Sequence, residues 1–167
     1  MRKLAIFLAL IPPLVALYLL YTGSLSLFEL ALAIIIATVI SYLFSSALIS
    51  RPGRLYNPIR WAWALIFAIL YLTVVEAKAH LSVLKLIFVP SRARPAIVRI
   101  PYSVESDYAI TLIANSITNT PGTVVVDVDE ERKYFYVHWI RATDLTEEGA
   151  KREVSELFER YARRIFE

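Results

Sequence analysis

The chain has 167 residues, 57% of them hydrophobic and 20% charged, with a mean hydropathy of +0.55 and no cysteine. It is too apolar for one soluble domain of this size, and the lack of thiols excludes disulfides, thiolate metal clusters, iron–sulfur ligation and a cysteine nucleophile. Residues 1–90 hold seven Lys or Arg against two acids, and residues 91–167 hold eleven against thirteen, so a basic apolar half precedes a slightly acidic one.

The surplus positive charge lies beside hydrophobic segments, where it reads as membrane topology and not as nucleic-acid binding. Leu4 to Tyr21 is an uncharged run. At about 1.5 Å per residue it covers ~27 Å, close to the ~30 Å hydrocarbon core. Arg2 and Lys3 imitate a signal-peptide start, but the run lacks a clean cleavage site and more apolar sequence follows, so it reads as a retained helix. Pro12-Pro13 predicts a bend within it. After the turn Thr22-Gly23-Ser24, Leu25 to Ile49 is long enough for a second crossing, making residues 1–49 a helical hairpin. Thr38, Ser41, Ser45, Ser46 and Ala47 give the second helix small positions for close packing. Glu29, about one turn inside, is a weak proton-path candidate whose ordinary reading is a capped or solvated carboxylate near an interface.

The link from Ser50 to Arg60 carries Arg51, Arg54 and Arg60, while the turn at 22–26 carries no charge. The positive-inside rule therefore puts the N-terminus and residues 50–60 in the cytoplasm. A third apolar run starts at Trp61 and reaches Glu76 with only about 15 charge-free residues, or ~22 Å of helix. A third crossing would place the basic residues Lys85, Arg92, Arg94 and Arg99 outside, so two spans plus a partly embedded helix is favoured over three spans. Glu76 and His80, spaced i, i+4, are further weak proton-relay candidates. The alternative is a polar helix end emerging at the headgroups. The expected division is a membrane helical part over 1–89, a linker over 90–95 and a cytoplasmic domain over 96–167.

In that domain Ala96–Tyr102 reads as a strand, Glu105–Ile117 as a helix begun near Ser103 or Glu105, and Thr123–Asp129 as a strand with Val124, Val126 and Val128 on one face. Asp129-Glu130-Glu131-Arg132 makes a turn, and Lys133–Ile140 returns with Tyr134, Tyr136, His138 and Ile140 opposite Phe135, Val137 and Trp139. Both faces look apolar enough to be covered. A terminal helix carries an apolar stripe from Ala150 to Ile165, begins at Asp144 or Thr146, and offers the pairs Glu147–Lys151, Glu148–Arg152, Glu156–Arg160 and Glu159–Arg163. The fold class is thus a membrane α-helical part followed by an α+β domain in the order β-α-β-β-α, ferredoxin-like. The two histidines, His80 and His138, stand alone, and no spacing suits a metal or cofactor. An enzyme pairing His138 with Asp127 or Asp129 is a remote reading.

Asn57-Pro58 before an apolar helix, Ser106-Asp107 followed by Thr111-Leu112 and Asn115-Ser116-Ile117-Thr118, then Thr120-Pro121-Gly122-Thr123, and Tyr136-Val137-His138 occur in order. This series resembles the MnhE-type subunit of the multisubunit cation/proton antiporters of the Mrp or Mnh type, over roughly residues 50–142. Asn119 departs from it, standing where Leu is usual. The resemblance implies an accessory, non-catalytic membrane subunit of a Na⁺/H⁺-translocating complex. Its hosts would be a free-standing antiporter or, in archaea, a membrane-bound hydrogenase or related sulfur-reducing complex. It also implies that Asn57, Pro58, Asp107, Asn115, Thr118, Thr120, Pro121, Gly122, Thr123 and His138 serve the family fold or contact neighbouring subunits, with the bilayer and other membrane subunits as partners. A membrane-anchored adaptor or sensor with a small ligand-binding domain is the alternative.

Overall fold

The computed structural model describes residues 2–48 and 57–167. Arg51 and Arg54 lie outside the described residues, as do the side chains of Arg2, Lys3, Ser45, Ser46 and Ala47. The chain forms two compact units, Met1–Pro58 and Ile59–Glu167.

The first unit is a helical hairpin of α1 (Arg2–Thr22) and α2 (Leu27–Leu48), with helix continuing through Pro12 and Pro13. Gly23 permits the tight return by taking a positive φ of 64°. Ala33, Ala37 and Ser41, four residues apart, are almost fully buried, while Leu27, Phe28, Ile35, Val39 and Tyr42 are exposed. Small side chains at i, i+4, i+8 let two helix backbones approach, and the bulky apolar residues then face outward. Leu27–Phe44 meets the length and hydropathy needed to cross a membrane.

The second unit begins with α3 (Pro58–Leu70), which runs through a π-helical turn (Tyr71–Val75) into α4 (Glu76–Phe88). The whole helix has 31 residues and is also apolar and long enough to cross. Proline is favoured at a first helical position, where its missing N–H has no intrahelical partner. After a 3₁₀ turn (Pro90–Arg92) come β1 (Ala96–Pro101), α5 (Asp107–Asn119), β2 (Thr123–Asp129) and β3 (Tyr134–Trp139). The chain closes with α6 (Glu147–Ala150), a second π turn (Lys151–Ser155) and α7 (Glu156–Phe166). The three strands form an antiparallel sheet ordered β1-β3-β2, with Val98 and Val125 both opposite Val137.

The core lies between one sheet face, α5, α7 and the long helix. It contains Val98, Ile100, Phe135, Val137, Ile113, Ile117, Phe158, Ala162, Phe67 and Tyr71. The register shifts between Val125 and Asp127, and this bulge turns Val125 and Val128 to the core while Val124 and Val126 stay exposed. Strict alternation of Val124, Val126 and Val128 therefore fails, because a bulge adds one residue and resets the period of two. Only one sheet face is covered. On the other, Ile97 is exposed and Tyr134, Tyr136 and His138 are half-buried, with the Arg99 guanidinium 4.6 Å from the Tyr134 ring centre.

The 90–95 segment is pinned to the sheet and not a free linker: Arg94 N–H donates to the Ile140 carbonyl at 3.0 Å, and Ala142 N–H donates to the Arg94 carbonyl at 3.0 Å. The division also falls at Pro58 and not at residue 89, for a clear packing reason. Trp63 meets Tyr161 edge-on, Phe67 lies between Phe158 and Tyr161, and Tyr71 meets Phe158. Arg60 donates to the carbonyls of Ile165 and Glu167 at 2.9 and 2.7 Å, satisfying the end of α7. Farther on, Arg141 reaches Ser82 and Leu86 is buried. The π turn sustains this seam. Its extra residue moves the inward positions from Phe67 and Tyr71 to Val75, Ser82, Val83 and Leu86, which a regular helix would rotate away.

At the last helix Thr146 is the N-cap, its Oγ1 accepting from Gly149 N–H at 3.1 Å. Glu156–Arg160 and Glu159–Arg163 form as the spacing predicts, at 3.7 and 3.0 Å. Glu147 instead pairs with Arg99, Lys151 with Glu159, and Arg152 with Asp144, each acid or base taking a partner outside its own turn. Ser106, and not Ser103 or Glu105, occupies the α5 N-cap position, and Glu167 Oε1 anchors the chain just ahead of the helix by accepting from Glu105 and Ser106 N–H at 2.6 and 3.2 Å.

Glu159, 5% exposed, takes Ser103 N–H and Oγ–H at 3.1 and 2.5 Å and Arg163 at 3.0 Å on Oε1, with Lys151 2.9 Å from Oε2. Burial alone would raise its pKa, but the bonds from Ser103 and Lys151 outweigh it and hold the carboxyl below its ordinary value. Its stabilisation is complete above the unfolded carboxylate pKa and is lost as pH falls through the lower folded value. Thermal melts of the full chain in detergent, taken from neutral pH down through the carboxylate range, should show the stability gap between wild type and Glu159→Gln narrowing as pH falls.

Candidate functional site

The family-like residues converge where the end of α5 and the loop after it meet the π turn of the long helix. Tyr71 is buried there, its hydroxyl 3.3 Å from the Ser116 carbonyl and 3.4 Å from Thr120 Oγ1, while Asn119 Nδ2 donates to it at 3.3 Å. Asn119, the departure from the family pattern, thus has a hydrogen-bonding role that Leu would lack. Next along, Glu76 is 17% exposed at its side chain, and His80 Nδ1 lies 2.8 Å from the Glu76 carbonyl and 3.3 Å from its Oε2. His80 itself is 68% exposed. The pair therefore sits at the rim of the seam.

The loop spends its polar atoms on its own backbone. Thr120 Oγ1 donates to the Ser116 carbonyl at 2.7 Å, and Thr123 Oγ1 donates to the Ile117 carbonyl at 2.7 Å, adding side-chain bonds to two carbonyls that the Thr120 N–H also reaches at the end of α5. Thr118 Oγ1 accepts from Val125 N–H at 3.1 Å, covering part of the β2 edge. Gly122, just before β2, has φ 101°, and a Cβ there would lie 3.2 Å from Ile140 Cγ2. Pro121-Gly122 thus makes a turn whose geometry requires glycine.

Asn57 precedes Pro58 at the start of α3, and Asp107 opens α5, where its charge faces the helix N-terminus favourably. Thr111, Asn115, Thr118 and Asn119 are exposed along α5, and Leu112 is half-buried beside them. Leu112, Asn115, Ser116, Thr118 and Asn119 face Phe67, Ala68, Tyr71 and Leu72 across an open groove of about 620 Å³. The α5 side of that groove carries no charge, in contrast to the outer face of α7.

His138 stands apart on the open sheet face, opposite Ile97 and Val124. Asp127 is opposite Tyr136 and Asp129 opposite Tyr134, so the register does not bring either acid across from His138. Glu29 belongs to the hairpin, where Tyr18 Oη donates to its Oε2 at 2.8 Å and its own N–H donates to Ser26 Oγ at 3.2 Å. It is a capped carboxylate at the first turn of α2. Among the described residues no group of three His, Cys, Asp or Glu could hold a metal ion. Sequence reasoning missed Tyr71 and Trp63 and read Arg60 only as a topology charge; they carry no motif, and only the helix pattern through 60–71 at 3–4 spacing hints at them.

Comparison with known proteins fits these elements into a wider set. The model of a family described as Na⁺/H⁺ ion antiporter subunit, MNHE, matches residues 12–165. The E1 subunit of a Na⁺/H⁺ antiporter of Staphylococcus haemolyticus is 36% identical over 132 residues, 76% of this chain and 77% of that protein. The E1 subunit of the Staphylococcus epidermidis antiporter is 31% identical over 151 residues, 90% of this chain and 91% of its own length. Among solved structures, a chain of the membrane-bound sulfane sulfur reductase, an archaeal respiratory membrane complex, superposes with a TM-score of 0.84 at 26% identity, covering 99% of this chain and 100% of that one.

Gly122→Ala should destabilise the full chain by about 1–3 kcal/mol, because a side chain at this φ is strained and meets Ile140. Denaturant unfolding followed by the near-ultraviolet signal of Trp139 and its neighbours measures it.

Proposed function

The chain belongs to the Na⁺/H⁺ ion antiporter subunit family MNHE, and we propose that it is an accessory, non-catalytic subunit that supports assembly of a cation/proton-translocating membrane complex. The host is an antiporter or an antiporter-like module of a respiratory complex. The observation that carries this reading is the near end-to-end likeness to a chain of an archaeal respiratory membrane complex. The exposed, uncharged groove side of α5 supports it from the physics, since interface cores are depleted in charge.

The protein sits in the cell membrane with the 2–48 hairpin as its two crossings and the second unit in the cytoplasm, its sheet, α5 and α7 forming a ferredoxin-like split β-α-β. Contacts to the domain run along the long helix from Arg60 to Leu86, roughly 39 Å at 1.5 Å per residue. A charged domain cannot accompany a helix through ~30 Å of hydrocarbon, which supports a helix that does not cross. Asn115 and Thr118 face another subunit across the groove, whereas Thr120, Pro121, Gly122 and Thr123 maintain the turn behind them. Glu29, Glu76 and His80 each serve a local helix end or seam and lie off the ion path.

Asn115→Lys, which puts a cation on the groove wall, should lower the yield of the complex copurified in mild detergent, with the thermal melt of the separated chain unchanged. The complex that still assembles should keep its cation and proton affinities. Full yield with lost transport would place this surface in the transport chemistry and refute the accessory reading.

A further inference from the structure

The face that α3 and α4 turn away from the domain is uncovered and aliphatic. Leu65, Ile69 and Leu72 before the π turn, and Leu81, Leu84 and Phe88 after it, are between 48% and 77% exposed. The same extra residue that holds the inward seam in register also keeps these outward residues in one row on both sides of the turn. Thr73, on this side, donates its hydroxyl to the Ile69 carbonyl at 2.6 Å and so presents no free donor to a neighbour. Exposed formal charge on α4 and in the segment just after it has one sign. Lys78, Lys85, Arg92 and Arg94 are exposed and have no acidic partner among the described residues, and Glu76, tucked toward the seam, is the one acid between 58 and 95.

We infer that this row is a lipid-binding surface: the six apolar side chains enter the boundary between headgroups and acyl chains of an anionic leaflet, and the four basic ones lie among its phosphates. An amphipathic helix with a basic flank, a long aliphatic face and few free hydrogen-bonding groups has the chemistry of an in-plane membrane contact. A protein interface core can be equally apolar, so it is the exposed basic residues beside the row, without acids to pair them, that commit it to an anionic leaflet. The surface rests on the reading that the helix does not cross, and fixes what covers its free side. In this role the helix sets the height of the whole second unit above the bilayer.

The absence of cysteine makes the test direct. Single cysteines at 65, 69, 72, 81 and 84 of the full chain carry a nitroxide in vesicles of phosphatidylcholine with phosphatidylglycerol, and in phosphatidylcholine alone. Collision rates with oxygen and with a water-soluble nickel complex give the depth of each label. The surface predicts one shallow depth at all five positions, about 5–10 Å below the headgroup boundary. It also predicts shallower labels without phosphatidylglycerol, and loss of that lipid dependence when Lys78, Lys85, Arg92 and Arg94 are all changed to Gln. Labels fully open to nickel in both vesicles would overturn the lipid surface while leaving a non-crossing helix intact. Depths that rise to the bilayer centre near 72 and fall again would overturn both. In the assembled complex in nanodiscs, loss of oxygen collisions at 65, 69 and 72 would show a protein cover and overturn the lipid surface alone.

Discussion

The packing of one apolar helix on a small α+β domain governs the second unit. The domain's own sheet has three strands, and its core depends on a seam it does not contain: Trp63, Phe67 and Tyr71 fill the gap beside Phe158 and Tyr161, and Arg60 closes the end of α7. Burying aromatic side chains contributes on the order of 1.5–3 kcal/mol each, a large share of the stability of a domain this small. The same contacts hold the helix along the domain from its first turn to its last. A helix whose length and hydropathy suit a membrane segment thus also forms one wall of this domain.

Around that wall the polar chemistry is spent on closure. Glu159 gathers Ser103, Arg163 and Lys151 where α7 crosses the start of the β1–α5 connection, and Glu167 anchors the chain just before α5. The threonines after α5 take its last carbonyls and one outward N–H of β2. α6 lies against β1, and the β2 bulge disrupts the opposite edge, so neither edge offers a long flat row for another chain to pair with. The surfaces left open are chemically distinct: an uncharged groove beside α5, an aromatic sheet face with Tyr134, Tyr136 and His138, and the aliphatic row of the long helix. Each of these surfaces is chemically suited to a different environment.

Much of this architecture is legible in the sequence because its causes are local. The hairpin follows from two long apolar runs split by Gly23, the strands from runs of β-branched and aromatic residues, and the α7 stripe from its 3–4 spacing. The motif residues between Thr118 and Thr123 announce a turn, and the turn is there. The features that escape are those set by tertiary context. Neither π turn has a sequence signature, yet one resets the register of the long helix, and the partners of Glu147, Lys151 and Arg152 are set by residues outside their own turns. The bulge at Val125–Asp127 overrides a clean alternation, and the partner of Asn119 is a tyrosine 48 residues away. Most of all, the 61–75 run is apolar for a domain as well as for its outer surroundings, and composition cannot distinguish the two sides.

The account stands on the long helix staying with the α+β domain in the membrane, and cross-linking reads that directly. Arg60→Cys with Arg164→Cys, introduced together in the otherwise cysteine-free chain, places one thiol at the start of α3 and one near the end of α7. Treated in native membranes with a short bis-maleimide, this pair should cross-link as efficiently as a control pair within the domain, Thr143→Cys with Glu153→Cys, whose native side chains are 2.6 Å apart. A control pair that cross-links while 60 and 164 do not would mean that the helix leaves the domain to enter the bilayer, contradicting the account.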